Sequence, residues 1–506
     1  TLALVATFQN TQTKDLDFKI AEQFWQLKLT DETIKAIARV VRYSGNPEFV
    51  TLIEYLLPQA NPEAKQAALE ALVSLATAQD SSLTKIAVAE TQHDNPAVRV
   101  AAYKLLEITH TPEAIAQVTQ GLGDASAQVR QQVACTLAAY GKQGLAIAQS
   151  QLTASDPLVV QTAIAAIAKL NNKRANEILF QHLIPEFQQL NLTRKWQQQI
   201  PTEDPSWQFL AVAIEDYQQR LLQKVLHILS CLGYSRTVNL VQRIFVTGER
   251  RDLANAVEIL ASINHRRFVQ PLMPLLEQRV SSKTPRKLEV TPQWLEDKGY
   301  KILLEALDSS DRWIKTGASI ALAVLPTALL KDPDPVVQSV TREIFPVAYQ
   351  LTCPVSTSMN RLLLLRNIAL FKNLSLDELF SIDQVLEQKQ VLAGETIYTQ
   401  GSWGGHLYII AAGKIQIIKE LDGEQQVIKQ LTTGQYFGEI ALFDEALRCD
   451  GAIALEDSTL LCLEKKRFIS LISQRPQIIL ELCRFLSRRL RETDKYMSAK
   501  KMHSAN

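Results

Sequence analysis

Between about Pro47 and Pro346 the apolar positions fall at helical steps, and they do so in blocks. Asn61-Pro62-Glu63-Ala64-Lys65, Asp94-Asn95-Pro96-Ala97-Val98-Arg99, Asp124-Ala125-Ser126-Ala127-Gln128-Val129-Arg130 and Asp156-Pro157-Leu158-Val159-Val160-Gln161 each open an alanine-rich segment. Within a segment the apolar face recurs every four residues, as at Val98, Ala102 and Leu106. Asp or Asn ahead of each segment caps a helix, and Pro suits its first position. With Ala64, Val98, Val129 and Val160 as anchors the blocks lie 34, 31 and 31 residues apart, the spacing of a two-helix repeat. One helix pair cannot bury its own apolar side, so such pairs stack into a solenoid.

The phase returns at Asp311 to Leu325 and at Asp334 to Phe345. Between Lys173 and Gln293 it diverges, and the Gln-rich stretch ending in Thr202-Glu203-Asp204-Pro205-Ser206-Trp207 predicts a longer loop. Beyond Arg361 the character changes. Arg361 to Leu379 carries an Ile-Ala-Leu-Phe turn and a Ser375 helix cap. Gly394-Glu395-Thr396-Ile397, Gln400-Gly401, His406-Leu407-Tyr408-Ile409-Ile410 and Gly413-Lys414-Ile415 read as short alternating strands broken by glycine, which would close into a small barrel around a short helix. After Arg475-Pro476-Gln477 a last helix carries Ile478, Leu480, Leu482, Phe485, Leu486 and Leu490.

The segment Phe437 to Ala454 holds the candidate chemistry. A cyclic phosphodiester needs a short turn whose backbone N–H groups face it, a guanidinium for its charge and a carboxylate for the ribose hydroxyl. Gly438, Glu439 and Arg448 supply those parts in order.

This stretch resembles the phosphate-binding cassette of the cyclic-nucleotide-binding domain family, in which Gly-Glu-Leu/Ile-Ala-Leu is followed by a few variable residues and an Arg. The resemblance extends over roughly Arg361 to Glu492. It implies that Glu439 accepts from the ribose 2′-OH, that Arg448 pairs with the exocyclic phosphate oxygens, and that Gly438, Ile440 and Ala441 give close backbone approach. Small residues usually follow the arginine; here Cys449 and Asp450 do. Cys449 is a poor donor for a guanine, which leans the ligand towards cAMP over cGMP. An Asp450 carboxylate 4 to 5 Å from a phosphate would cost roughly 3 to 4 kcal/mol at an effective dielectric near 20. Phe485 or Tyr496 could cover the base.

The repeats resemble the HEAT family, best from about Pro62 to Leu170, which implies a protein-interaction surface with an unidentified partner. Arg99 and Arg130, at one repeat position, either bind that partner or bridge successive turns. Gly248 to Leu260 and Val269 to Glu277 are similar to soluble tails of bacterial transporters related to ATP/ADP antiporters, in which a membrane domain precedes HEAT repeats and a cyclic-nucleotide-binding domain.

The organisation expected is therefore α+β and multidomain: a helical segment 1–46, a HEAT solenoid 47–350 divergent in 173–293, a linker 351–360, a β-roll cyclic-nucleotide-binding domain with flanking helices 361–495, and a tail 496–506. The function expected is a cyclic-nucleotide sensor that regulates a HEAT scaffold, with a transporter's regulatory tail or a scaffold with a ligand-free roll as alternatives.

Composition narrows this little further. The 506 residues carry a net charge of +1, so nothing calls for nucleic acid, and a tail of about fifteen residues after Arg491 is too short for a helix-turn-helix. Six cysteines without a CxxC motif and seven histidines without HExxH predict reduced thiols, a cytoplasmic location and no metal site. No uninterrupted apolar run approaches a membrane span; Ala318 to Leu330 is near the maximum and contains Pro326. Thr1 in place of Met suggests an upstream segment, such as a membrane domain on whose cytoplasmic side this chain would sit. No catalytic motif is present, so an enzyme is not expected.

Overall fold

The computed structural model describes residues 30–44, 49–202, 204–247, 250–281, 294, 298–329, 357–421, 424–444, 446–475, 478–487 and 491. These fall into two compact units, divided at 190/191, 220/221 and 283/284. The repeat expected at 334–345, residues 351–356 of the expected linker, Tyr496 and the 496–506 tail lie outside the described residues, as does most of the 1–46 segment, while residues 357–360, expected in the linker, instead open the helix Thr357–Asn367.

In the first unit the caps set the helices. Asn61 accepts from the Ala64 N–H, Asn95 from Ala97 and Asp156 from Leu158, each just ahead of a proline that opens Pro62–Leu75, Pro96–Thr109 or Pro157–Lys169. Ala127–Ala139 starts differently, with the Asp124 carboxylate holding the Ser126 N–H at 2.7 Å. These four helices alternate with Ser81–Glu90, Pro112–Gln120 and Gly141–Ser150, the paired layout of stacked repeats. Ala64, Val98, Ala102, Leu106, Val129, Val133 and Leu137 are fully buried between neighbours. The fourth anchor departs from expectation: Val160 is half-buried, because the cap at Asp156 starts its helix one residue early and passes the core to Ala163, Ile164 and Ile167.

The divergent region is also more regular than its sequence predicts. Gln188, Gln189 and Gln197 lie inside a 25-residue helix, Lys173–Gln197, with Gln198 and Gln199 just past its end, and Pro205-Ser206-Trp207 opens another, Pro205–Leu229. Glutamine is a good helix former, and Pro205 sits where a helix's first turn tolerates it.

The second unit joins the start of that helix to the C-terminal region. Asp311 caps Arg312–Leu329 through the N–H groups of Trp313 and Ile314. Gly317 lets this helix touch the other's backbone: a Cβ there would stand 2.7 Å from Leu210 Cα. Ser375 and Glu378 form a reciprocal capping box on the entry helix Leu376–Asp383. That helix start is docked: buried Asp216 accepts the Leu376 N–H at 2.9 Å and the Arg220 Nε at 2.7 Å, while Trp313 Nε1 donates to Asp377 at 2.9 Å.

Eight strands follow: β1 Leu386–Val391, β2 Thr396–Tyr398, β3 His406–Ala412, β4 Lys414–Leu421, β5 Glu424–Thr432, β6 Tyr436–Phe437, β7 Gly451–Ala454 and β8 Ser458–Glu464. They form two antiparallel four-stranded sheets, β1-β8-β3-β6 and β2-β7-β4-β5, rather than one closed barrel. Val391, Ile410, Ile415, Ile417, Leu431, Phe437, Ala452, Ala454 and Leu460 fill the roll. Helix Lys465–Gln474 packs after it. In the segment beyond, Ile478 and Leu482 are buried, whereas Leu480 points outward.

Candidate functional site

The chain leaves β6 at Phe437, turns through Gly438 in the left-handed region (φ +74°), and makes one 3-10 turn, Glu439–Leu442, in place of a longer helix. Gly438 is required twice over. Its φ disfavours any L side chain, and a Cβ would lie 2.5 Å from Arg448 Nη1. The glycine therefore makes room for the arginine as well as for any ligand.

Arg448 is 8% exposed. Its Nη1 donates to the Gly438 carbonyl at 3.1 Å and its Nη2 to the His406 carbonyl at 2.8 Å. The guanidinium carbon stands 4.1 Å from the Tyr398 ring centroid and 5.8 Å from that of Tyr408. Tyr408 in turn stacks on Phe437 at 5.1 Å. Its backbone is laced to the β2–β3 loop, with Gly401 N–H donating to the Arg448 carbonyl and Arg448 N–H to that of Ser402, both at 2.8 Å. The Nε is buried and has no partner, and no carboxylate among the described residues forms an ion pair with this side chain. A cation this buried without an anion is costly, and aromatic faces offset only about 2 kcal/mol of that. The arrangement suits an incoming anion.

The remaining cassette residues surround this point. Glu439 is half-buried at the first position of the turn, Ile440 is 55% exposed beside it, and Ala441 completes the turn. The Cys449 thiol is exposed. Asp450 is turned onto Tyr398, whose hydroxyl donates to its Oδ1 at 3.1 Å. Burial, reinforced by that carboxylate, holds the Tyr398 phenol well above its ordinary value, so it remains a donor. Burial likewise raises the Tyr408 phenol. Phe485 is half-buried in the last helical segment.

Sequence reasoning finds the cassette but misses its aromatic floor. Tyr398 comes from one sheet and Tyr408 and Phe437 from the other, so no local spacing marks them as a set. In the repeats, Arg99 makes a two-pronged pair with Asp124 of the next repeat, both contacts at 2.8 Å, and also donates to the His93 and Asp94 carbonyls. Arg130 donates to the Asp124 and Ala125 carbonyls. Arg99 thus bridges successive turns, whereas these Arg130 bonds stay within its own repeat.

Comparison with known proteins agrees with this division. Residues 388–475 match the family described as Cyclic nucleotide-binding domain, and residues 49–138 match HEAT repeats. The chain thus carries HEAT repeats followed by a C-terminal cyclic nucleotide-binding domain. It is 38% identical over 102 residues to the Cyclic AMP receptor protein of Thermus thermophilus, covering 20% of this chain and 47% of that protein. It is 38% identical over 79 residues to a cAMP-dependent protein kinase regulatory subunit of Mucor circinelloides, covering 16% of this chain and 18% of the relative. Among solved structures, the Thermus thermophilus Catabolite Activator Protein is similar at 32% identity with a TM-score of 0.24, over 26% of this chain and 63% of that one. The chain spans about half the length, or less, of the curated relatives named here.

Proposed function

We propose that the roll binds a cyclic nucleotide, cAMP in preference to cGMP, and that occupancy of this site regulates the HEAT repeats as a protein-interaction scaffold. The observation that carries this reading is Arg448: a buried cation with an unpartnered Nε and, among the described residues, no ion-paired carboxylate, beside a turn opened by a left-handed glycine. In this reading Arg448 takes the exocyclic phosphate oxygens, Glu439 accepts from the ribose 2′-OH, and the backbone of Gly438, Ile440 and Ala441 lies close against the sugar-phosphate. The names of the relatives, both of which specify cAMP, support the adenine preference, as does Cys449 where a hydroxyl would favour guanine.

Regulation needs the ligand to favour one of two arrangements. The docked entry helix supports a route, because Asp216 and Trp313 hold Leu376 and Asp377 by hydrogen bonds. Calorimetric titration of the intact chain with cAMP and cGMP tests the reading, with Arg448→Ala as control. Saturable heat with cAMP, weaker heat with cGMP and none in the variant are expected. Silence in the intact protein, with no shift in melting temperature, would leave a scaffold with a ligand-free roll.

A further inference from the structure

We propose that Asp450, held by Tyr398, is a specificity-determining residue that offsets part of the guanidinium's pull and so cuts the advantage a doubly charged open-chain phosphomonoester would otherwise hold over a singly charged cyclic phosphodiester. The proposal rests on the cyclic-nucleotide reading of the same site.

A carboxylate two residues after the phosphate-binding arginine looks like a defect, and its placement argues otherwise. Asp450 does not pair with Arg448; it accepts a hydrogen bond from the Tyr398 hydroxyl, while the ring of the same tyrosine carries the guanidinium at 4.1 Å. One aromatic plate thus mounts a positive charge on its face and a negative charge at its edge. Tyr398 is itself fixed, packed against Tyr408 at 5.9 Å and Phe437 at 6.1 Å. The backbone on either side is held as well: Arg448 is paired with the β2–β3 loop, and Gly451 begins β7. The carboxylate therefore has a built position and is no loose surface group.

Its effect on a ligand follows from the linearity of Coulomb's law. An anion on Arg448 gains from the guanidinium and loses to the Asp450 carboxylate in proportion to its own charge. A cyclic phosphodiester carries one negative charge; a phosphomonoester, whose second ionisation lies near pH 6, carries close to two at pH 8. Asp450 costs the open-chain nucleotide twice what it costs the cyclic one. The base is common to both, and comparing Asp450→Asn with the native protein for each nucleotide cancels the difference in ribose, so what the substitution changes is the response to charge at the phosphate.

The test is titration of the full chain with cAMP and with 5′-AMP at pH 8, for the native protein, Asp450→Asn and Arg448→Ala. Asp450→Asn keeps an oxygen for the Tyr398 hydroxyl and removes the charge. We expect it to tighten cAMP by about tenfold and 5′-AMP by the square of that factor, about a hundredfold. Asp450→Ser serves as a second neutral variant, and an unchanged melting temperature shows that the roll is intact. Equal changes for the two nucleotides, or no change, overturn the proposal while leaving cyclic-nucleotide binding in place. No binding of cAMP by the native protein overturns both readings, which separates the two failures.

Discussion

Arg99 in the repeats and Arg448 in the roll are both arginines with little exposure, and both donate to two backbone carbonyls. They differ in what answers the charge. Arg99 meets Asp124 with two parallel bonds across a repeat boundary, whereas Arg448 meets aromatic rings and keeps a buried Nε unpaired. The first arginine is satisfied by the fold. The second is satisfied only in part, as the proposed role of receiving an anionic ligand requires.

The sharpest way to break this contrast is to truncate each arginine. Arg99→Ala leaves a largely buried Asp124 without its partner and should destabilise the repeats by about 3 kcal/mol in urea unfolding, with nucleotide affinity unchanged. Arg448→Ala should do the reverse, lowering cAMP affinity by about a hundredfold or more in calorimetry with a smaller effect on unfolding. If Arg448→Ala destabilised the roll as much as Arg99→Ala does the repeats, the contrast between them would fail.

Gly438→Ala probes the same arginine from the other side. The added Cβ meets Nη1 and the backbone is left-handed, so a loss of about 1 to 2 kcal/mol in roll stability is expected, with weakened cAMP binding. Gly438→Ala with unchanged binding would show that the guanidinium need not stand where it does.

A smaller effect concerns pH and the repeats alone. Burial holds the His227 imidazole below its ordinary 6.5, opposed by a hydrogen bond with the Gln161 carbonyl. A depressed folded-state value means that the unfolded chain takes up the proton first. The contribution is therefore complete above about pH 6.5 and is lost as pH falls from there through the folded value. His227→Gln should flatten that part of the stability profile measured by thermal melting, and it should leave the roll's ligand affinity untouched.

What the sequence revealed followed from how local each signal was. The caps at Asn61, Asn95, Asp156 and Ser375 were legible because a cap is a matter of three consecutive residues. The cassette was legible because Gly438 to Arg448 is contiguous. The phase slip at Val160 was not, since anchors chosen by residue type ignore where the cap starts the helix. Nor was the long helix Lys173–Gln197, whose glutamines suggest a loop although glutamine favours helix. The floor under Arg448 needed three strands from two sheets to meet, and the direction of Asp450 depended on Tyr398, 52 residues away.

The contact between Asp216 and the Leu376 N–H bears on where this protein can be cut. By sequence the ligand domain begins near Arg361, yet the compact unit that contains it also claims residues 191–220 and the helix opened by Arg312. A fragment starting at Arg361 would lose the acceptor at the head of its first docked helix and the Trp313 donor beside it. The compact unit is larger than the domain proposed to bind, and a loss of cooperativity in such a fragment would measure how much the roll borrows from the helices that precede it.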